Sequence, residues 1–115
     1  MSIVVTKERL LEKFPEASSF LEKLKYPGYI IEYTDRCDCF NVFYDFSNKH
    51  YDRIYIDLEI AQRECILCGQ KKKGKKIEYY EVLSFRKPCG EIAEIFNQKL
   101  DEILMETDNE NRKSN

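Results

Sequence analysis

The chain has 115 residues, 43% of them hydrophobic and 13% aromatic, which suits one domain with a single core and excludes disorder for most of its length. Lys and Arg number 19 against 21 Asp and Glu, for a net charge of −2, so no global basic field draws in nucleic acid and any such contact needs a local patch. The N-terminus MSIVVTKERL has no basic region ahead of an apolar run, and no stretch of eighteen apolar residues occurs. A soluble, intracellular (cytoplasmic) protein is expected.

In chain order, Thr6 followed by KERLLEKF predicts an N-cap and a first helix, with Glu8 in the first turn and Leu10, Leu11 and Phe14 on one side. Pro15 disfavours helical geometry at Phe14, so a break is expected there. The helix resumes as PEASSFLEKLK, with Ala17, Phe20, Leu21 and Leu24 in a stripe, Lys23 and Lys25 in the last turn and Pro27-Gly28 ending it.

Beyond Gly28 the period shortens. YIIEYT and CFNVFYDF read as strands joined by the polar tip DRCDC, and Phe40, Val42, Tyr44 and Phe46 alternate with Asn41, Phe43 and Asp45. RIYIDLEI is the cleanest half-buried strand: Ile54, Ile56, Leu58 and Ile60 share one face, opposite Arg53, Tyr55, Asp57 and Glu59. Residues 57–69 admit two readings. As a helix, Asp57 would be the N-cap and Gly69 the C′ residue. As a strand, the segment continues to about Leu67 and pairs with KKIEYYEVLSF across KKKGKK, and the glycine-containing turn between two extended runs favours this.

GEIAEIFNQKLDEILMET predicts a C-terminal helix with Ile92, Ile95, Phe96, Lys99, Leu100, Ile103 and Leu104 at helical spacing and Glu91 early in it. From Asp108 the composition is wholly polar, and a mobile tail over 108–115 is expected beyond a domain of residues 1–107. The fold class is therefore α+β: two N-terminal helical segments, an antiparallel meander of four to five strands, and a C-terminal helix on one sheet face.

Five cysteines carry most of the chemistry. Cys37-x-Cys39 and Cys65-x2-Cys68 lie 25 residues apart. Zinc needs four thiolate or imidazole ligands at tetrahedral corners, and short spacings present two at a time. Gly69 lets the second pair sit in a tight turn, while residues two apart on a strand share a face. Two other readings stand beside zinc: cysteine as a small buried apolar residue, and two disulfides worth roughly 2–4 kcal/mol each.

In spacing these four residues resemble the zinc centre of the redox-regulated heat-shock chaperones, which also place C-x2-C after C-x-C. The residues between the pairs here read as strands, and none of that family's function is carried over. The fifth cysteine, Cys89, precedes the last helix beside Arg86 and Lys87, where a helix dipole lowers a thiol's pKa. A cysteine hydrolase would also need a base, and the one histidine, His50, falls in another turn, where it is a surface residue or a substitute metal ligand.

Lys71, Lys72, Lys73, Lys75 and Lys76 surround Gly74 at one expected hairpin tip, a set suited to phosphate contacts, with Tyr79 and Tyr80 nearby for base stacking. A lysine-rich tip also serves simply to keep a sheet edge from pairing. Asp57 and Glu59 at strand spacing form a carboxylate pair, and no glycine-rich phosphate loop is present.

These features favour a small non-enzymatic binding or regulatory module, stiffened by zinc at Cys37, Cys39, Cys65 and Cys68. Its sheet or lysine hairpin would meet nucleic acid or a protein of the transcription or defence machinery. The alternative is a metal-free interaction factor, such as an accessory subunit or a viral or mobile-element protein, to which eight tyrosines are suited. An enzyme built on Cys89 or on Asp57 and Glu59 is the third. The amino-acid balance, rich in Lys, Glu and Ile and poor in Ala, also fits a thermophile or an AT-rich genome.

Overall fold

The computed structural model describes residues 2–45, 50–59 and 64–113; the side chains of Glu64, Tyr80, Phe85, Arg86, Cys89 and residues 106–113 lie outside that description. Strand β1 (Ser2–Val4) leads into helices α1 (Lys7–Lys13) and α2 (Ala17–Lys23). Strands β2 (Ile30–Thr34), β3 (Cys39–Phe43), β4 (Arg53–Glu59), β5 (Glu64–Lys73) and β6 (Lys76–Lys87) follow, and helix α3 (Cys89–Lys113) ends the chain. The six strands form one antiparallel sheet in the order β1-β2-β3-β4-β5-β6.

The N-terminal helices obey their local signals. The Thr6 side chain accepts from the Arg9 amide at 3.2 Å, and α1 stops at Phe14, one residue before Pro15. Helix α2 buries Ala17, Phe20 and Leu21, as the stripe predicts, but Leu24 is already extended, so the helix ends before Pro27-Gly28 is reached. A residue from another element explains the early stop. Asn97 of α3 accepts the Lys25 amide at 3.0 Å and donates to the Lys23 carbonyl at 2.8 Å, satisfying backbone groups that another helical turn would have used.

The sheet is larger than the expected four to five strands. The addition is β1, which hydrogen-bonds β2 along the sheet edge, with Ser2 Oγ 2.7 Å from Thr34 Oγ1. The meander order is as expected, although β1 reaches β2 through α1 and α2 and not through a hairpin. Residues 57–69 are extended at both ends, in β4 to Glu59 and in β5 from Glu64, and the two strands pair with each other. They are two strands, not one continuing to Leu67; Ile60 and residues 61–63, like Phe46, fall outside the described residues. Helix α3 runs through Lys113, past the tail expected from Asp108. Once a helix is nucleated, each further residue adds a backbone bond, which carries it on through sequence that no core requires.

One face of the sheet carries the core. Phe40, Val42, Ile54, Ile56, Leu58, Cys65 and Leu67 pack with Leu10, Phe14, Phe20, Ile92, Phe96 and Leu100. Phe96 stacks on Phe20 with centroids 6.3 Å apart and leans on Tyr44 at 5.8 Å, joining α3, α2 and the end of β3. The opposite face follows from the two-residue period. Ile30, Phe43, Tyr55, Cys68 and Val82 lie directly opposite one another across five strands, forming an apolar row. Phe43 and Cys68 are buried even there, and the Arg53 guanidinium lies 3.8 Å from the centre of the Phe43 ring.

Candidate functional site: dispersed cysteines and a lysine-tipped hairpin

The structure does not bring the four cysteines of the expected zinc site together. Cys65 is fully buried on the core face, opposite Leu58, and is taken up in a disulfide. Cys68, three residues on, points to the other face beside Tyr55. Cys39 is on that same face, but opposite Glu59. Their β4 partners, Glu59 and Tyr55, are four positions apart, so Cys39 and Cys68 are offset by roughly 13 Å along the strand and roughly 10 Å across two strand spacings. Sulfurs on one zinc ion must lie within about 4 Å of one another. The expected four-ligand centre is thus not assembled, and among the described residues no group of three or more His, Cys, Asp or Glu is placed to hold a metal ion.

Cys37 and Cys39 remain neighbours at the β2–β3 turn. Asp38 between them has a φ of 52°, a left-handed conformation uncommon for a non-glycine residue. Two contacts hold it there: Tyr33 donates to its carboxylate at 2.5 Å and Lys13 of α1 lies 3.4 Å away. The Cys39 thiol points back to the Cys37 carbonyl at 3.2 Å. Burial, then its hydrogen bond with Cys37 and the charges of Asp57 and Glu59, push the Cys39 thiol up to about 12. It is a poor nucleophile at neutral pH.

Asp57, half-buried opposite Asn41, leaves Oδ1 without a hydrogen-bond partner among the described residues. Burial, with a further push from Glu59, raises its carboxyl to about 6. Asp57 and Glu59 do share a face, as their spacing implies. The side chain of Cys89 lies outside the described residues. His50 is exposed and sits at the root of the β5–β6 hairpin, where its carbonyl accepts from the Tyr79 hydroxyl.

The lysines are brought together. Strand β4 pairs β5 only as far as Arg53 opposite Gln70, so beyond that point the hairpin is two strands alone, paired Lys71 to Tyr79, Lys72 to Ile77 and Lys73 to Lys76. Gly74 has a φ of 65° and is followed by Lys75, the pattern of a tight two-residue turn that glycine accommodates without strain. Lys72, Lys73, Lys75 and Lys76 are exposed. Lys71 is tied back, 3.6 Å from Asp52, and the same carboxylate accepts the Lys72 amide at 2.5 Å. Those contacts hold the Asp52 carboxyl below its usual range, the Lys72 amide foremost.

Sequence reasoning missed the bracing of this ribbon. Tyr51 packs its ring against Gly69, so close that a Cβ there would sit 2.7 Å from ring carbons. Its hydroxyl donates to Glu81 at 3.1 Å and its ring meets Tyr79 edge-on at 6.2 Å. The polar turn before RIYIDLEI hid these anchors, since nothing local marks a tyrosine that packs on a glycine in a strand downstream. Tyr79 is thereby engaged at the hairpin root. No protein-family model, curated protein or solved structure matches the chain.

Proposed function

We propose that the chain is a non-enzymatic binding module that grips the phosphate backbone of a nucleic acid with the lysine tip of the β5–β6 hairpin. The observation that carries this reading is the exposure of Lys72, Lys73, Lys75 and Lys76 on a two-stranded ribbon beyond the reach of β4. The rest of the molecule is acidic: removing four lysines from a chain of net charge −2 leaves −6. An acidic body repels a polyanion and confines attachment to the tip. The reading does not call on zinc.

Fluorescence anisotropy of a labelled nucleic acid against salt tests it. Four phosphate contacts predict a log–log slope of about −3 to −4, from roughly 0.7 to 0.9 per contact. Replacing all four exposed lysines by alanine should remove most of that slope. No binding at low salt, or a slope unchanged in the variant, refutes the proposal.

A second reading has its own support. Ile77, Tyr79 and Val82 on the edge strand β6 are each more than a third exposed, and the apolar row of the helix-free face ends at Val82. A protein partner adding a strand to this edge would use both. Pull-down from nuclease-treated extract, with and without a Val82→Lys substitution, separates this reading from the first.

A further inference from the structure

Resting on the nucleic-acid reading, we infer that the partner is duplex DNA entered from its major groove, with the ribbon tip inserted between the two backbones. The register places lysines on both sides of the ribbon. Lys72 lies on the side continuous with the helix-free face, in line with Gln70 and Arg53, whereas Lys73 and Lys76 face the other side and Lys75 caps the turn. A positive element lying along a single strand, or flat on a surface, needs its charges on one side only. Charges on both sides and at the tip suit a slot with phosphates on each wall.

The dimensions agree. Beyond the Lys71–Tyr79 root, two residue pairs and the Gly74 turn project roughly 7–10 Å at strand rise, and the B-form major groove is about 12 Å wide and about 8.5 Å deep, enough for a two-stranded ribbon. The A-form RNA major groove is too narrow for such an element. Stacking on unpaired bases is disfavoured by the placement of Tyr79: its hydroxyl is given to the His50 carbonyl and its ring lies against Tyr51, back from the tip. The residues from Lys72 to Glu78 are four lysines, Gly74, Ile77 and, at the register shift next to Tyr79, Glu78, with no aromatic ring among them. Asp52 holds the ribbon root by an amide and an ammonium group, so the projection is set before a ligand arrives.

The full chain is titrated against three probes of one mixed sequence: a DNA duplex, an RNA duplex and the DNA single strand. The DNA duplex should bind at least about tenfold more tightly than either other probe, as expected when only one groove admits the ribbon. A major-groove dye should displace the protein and a minor-groove binder should not. Equal or tighter binding to RNA duplex or single strand, or displacement by the minor-groove binder, overturns the inference while leaving the phosphate-binding reading standing. Failure of all three probes at low salt overturns both.

Discussion

The core side of the sheet and the outer end of the β5–β6 hairpin are built from the same kind of antiparallel pairing, yet their side chains answer to different demands. On the core side each large group is fixed by residues from several elements: Phe96 touches Phe20 of α2 and Tyr44 after β3, and Asn97, its neighbour, holds the end of α2. Past Gln70 the ribbon has one partner strand, exposed ammonium groups and a glycine turn where an added Cβ would meet nothing within 4 Å. Stability resides in the first region. The second is free to serve a ligand, and substitutions should sort the two apart by whether they change folding or binding.

The largest effect belongs to the core. Phe96→Ala removes a fully buried ring from the junction of two helices and the sheet and should cost about 3–5 kcal/mol, measured by urea unfolding. A loss under about 1 kcal/mol would show that α3 is not locked to the body. Next comes the root of the ribbon. Gly69→Ala sets a methyl group 2.7 Å from the Tyr51 ring, and the ring must move away from Glu81 and Tyr79. A cost of about 1–3 kcal/mol is expected. Gly69→Ala combined with Tyr51→Ala should lose less than the sum of the two, because the clash disappears with the ring.

How much of this was legible follows from periodicity. Ile54, Ile56 and Leu58 alternate with polar residues, and the structure buries those three. Ala17, Phe20 and Leu21 mark a helical stripe, and the lysines around Gly74 mark a turn, because each signal is local. Strand β1 has three exposed residues and owes its pairing to Thr34 and its neighbours, so no pattern within it identifies a strand. The cysteines diverge for a reason already contained in the strand reading. Cys65 and Cys68 are an odd number of residues apart, and on a strand that places them on opposite faces. C-x2-C converges on a metal in a turn, and Gly69 is the residue that suggested one there. Gly69 instead serves close packing by Tyr51.

Asp57 gives a smaller effect with a definite sign. Its carboxyl titrates near 6 in the folded chain, above the roughly 3.9 of an unfolded aspartate, so between pH 4 and 6 the folded state holds more of the proton. This group's contribution to stability therefore falls as pH rises through that window. Asp57→Asn removes the titration and should stabilise the protein at pH 7 by about 1 kcal/mol, a value discounted because the group is only half-buried. At pH 4 the gain should vanish. An equal gain at both pH values would assign it to packing against Asn41 and Ile66.

The smallest effect on folding should accompany the largest on binding. Lys72, Lys73, Lys75 and Lys76 are exposed, and the Gly74 turn and the strand pairing beneath them use only backbone. Replacing all four with alanine should leave unfolding free energy within about 0.5 kcal/mol, as for surface positions away from packed features. Their mutual repulsion at one tip would even oppose folding slightly at low salt, so the variant should gain, not lose, when ionic strength is reduced. Lys71 is the control inside the same run. Its ammonium is 3.6 Å from Asp52 and only about a quarter exposed, so Lys71→Ala should loosen the ribbon root while removing little of the salt-dependent slope. If Lys71→Ala instead weakens binding as much as the other four together, the phosphate contact lies at the root of the hairpin and the tip is merely a solvated turn.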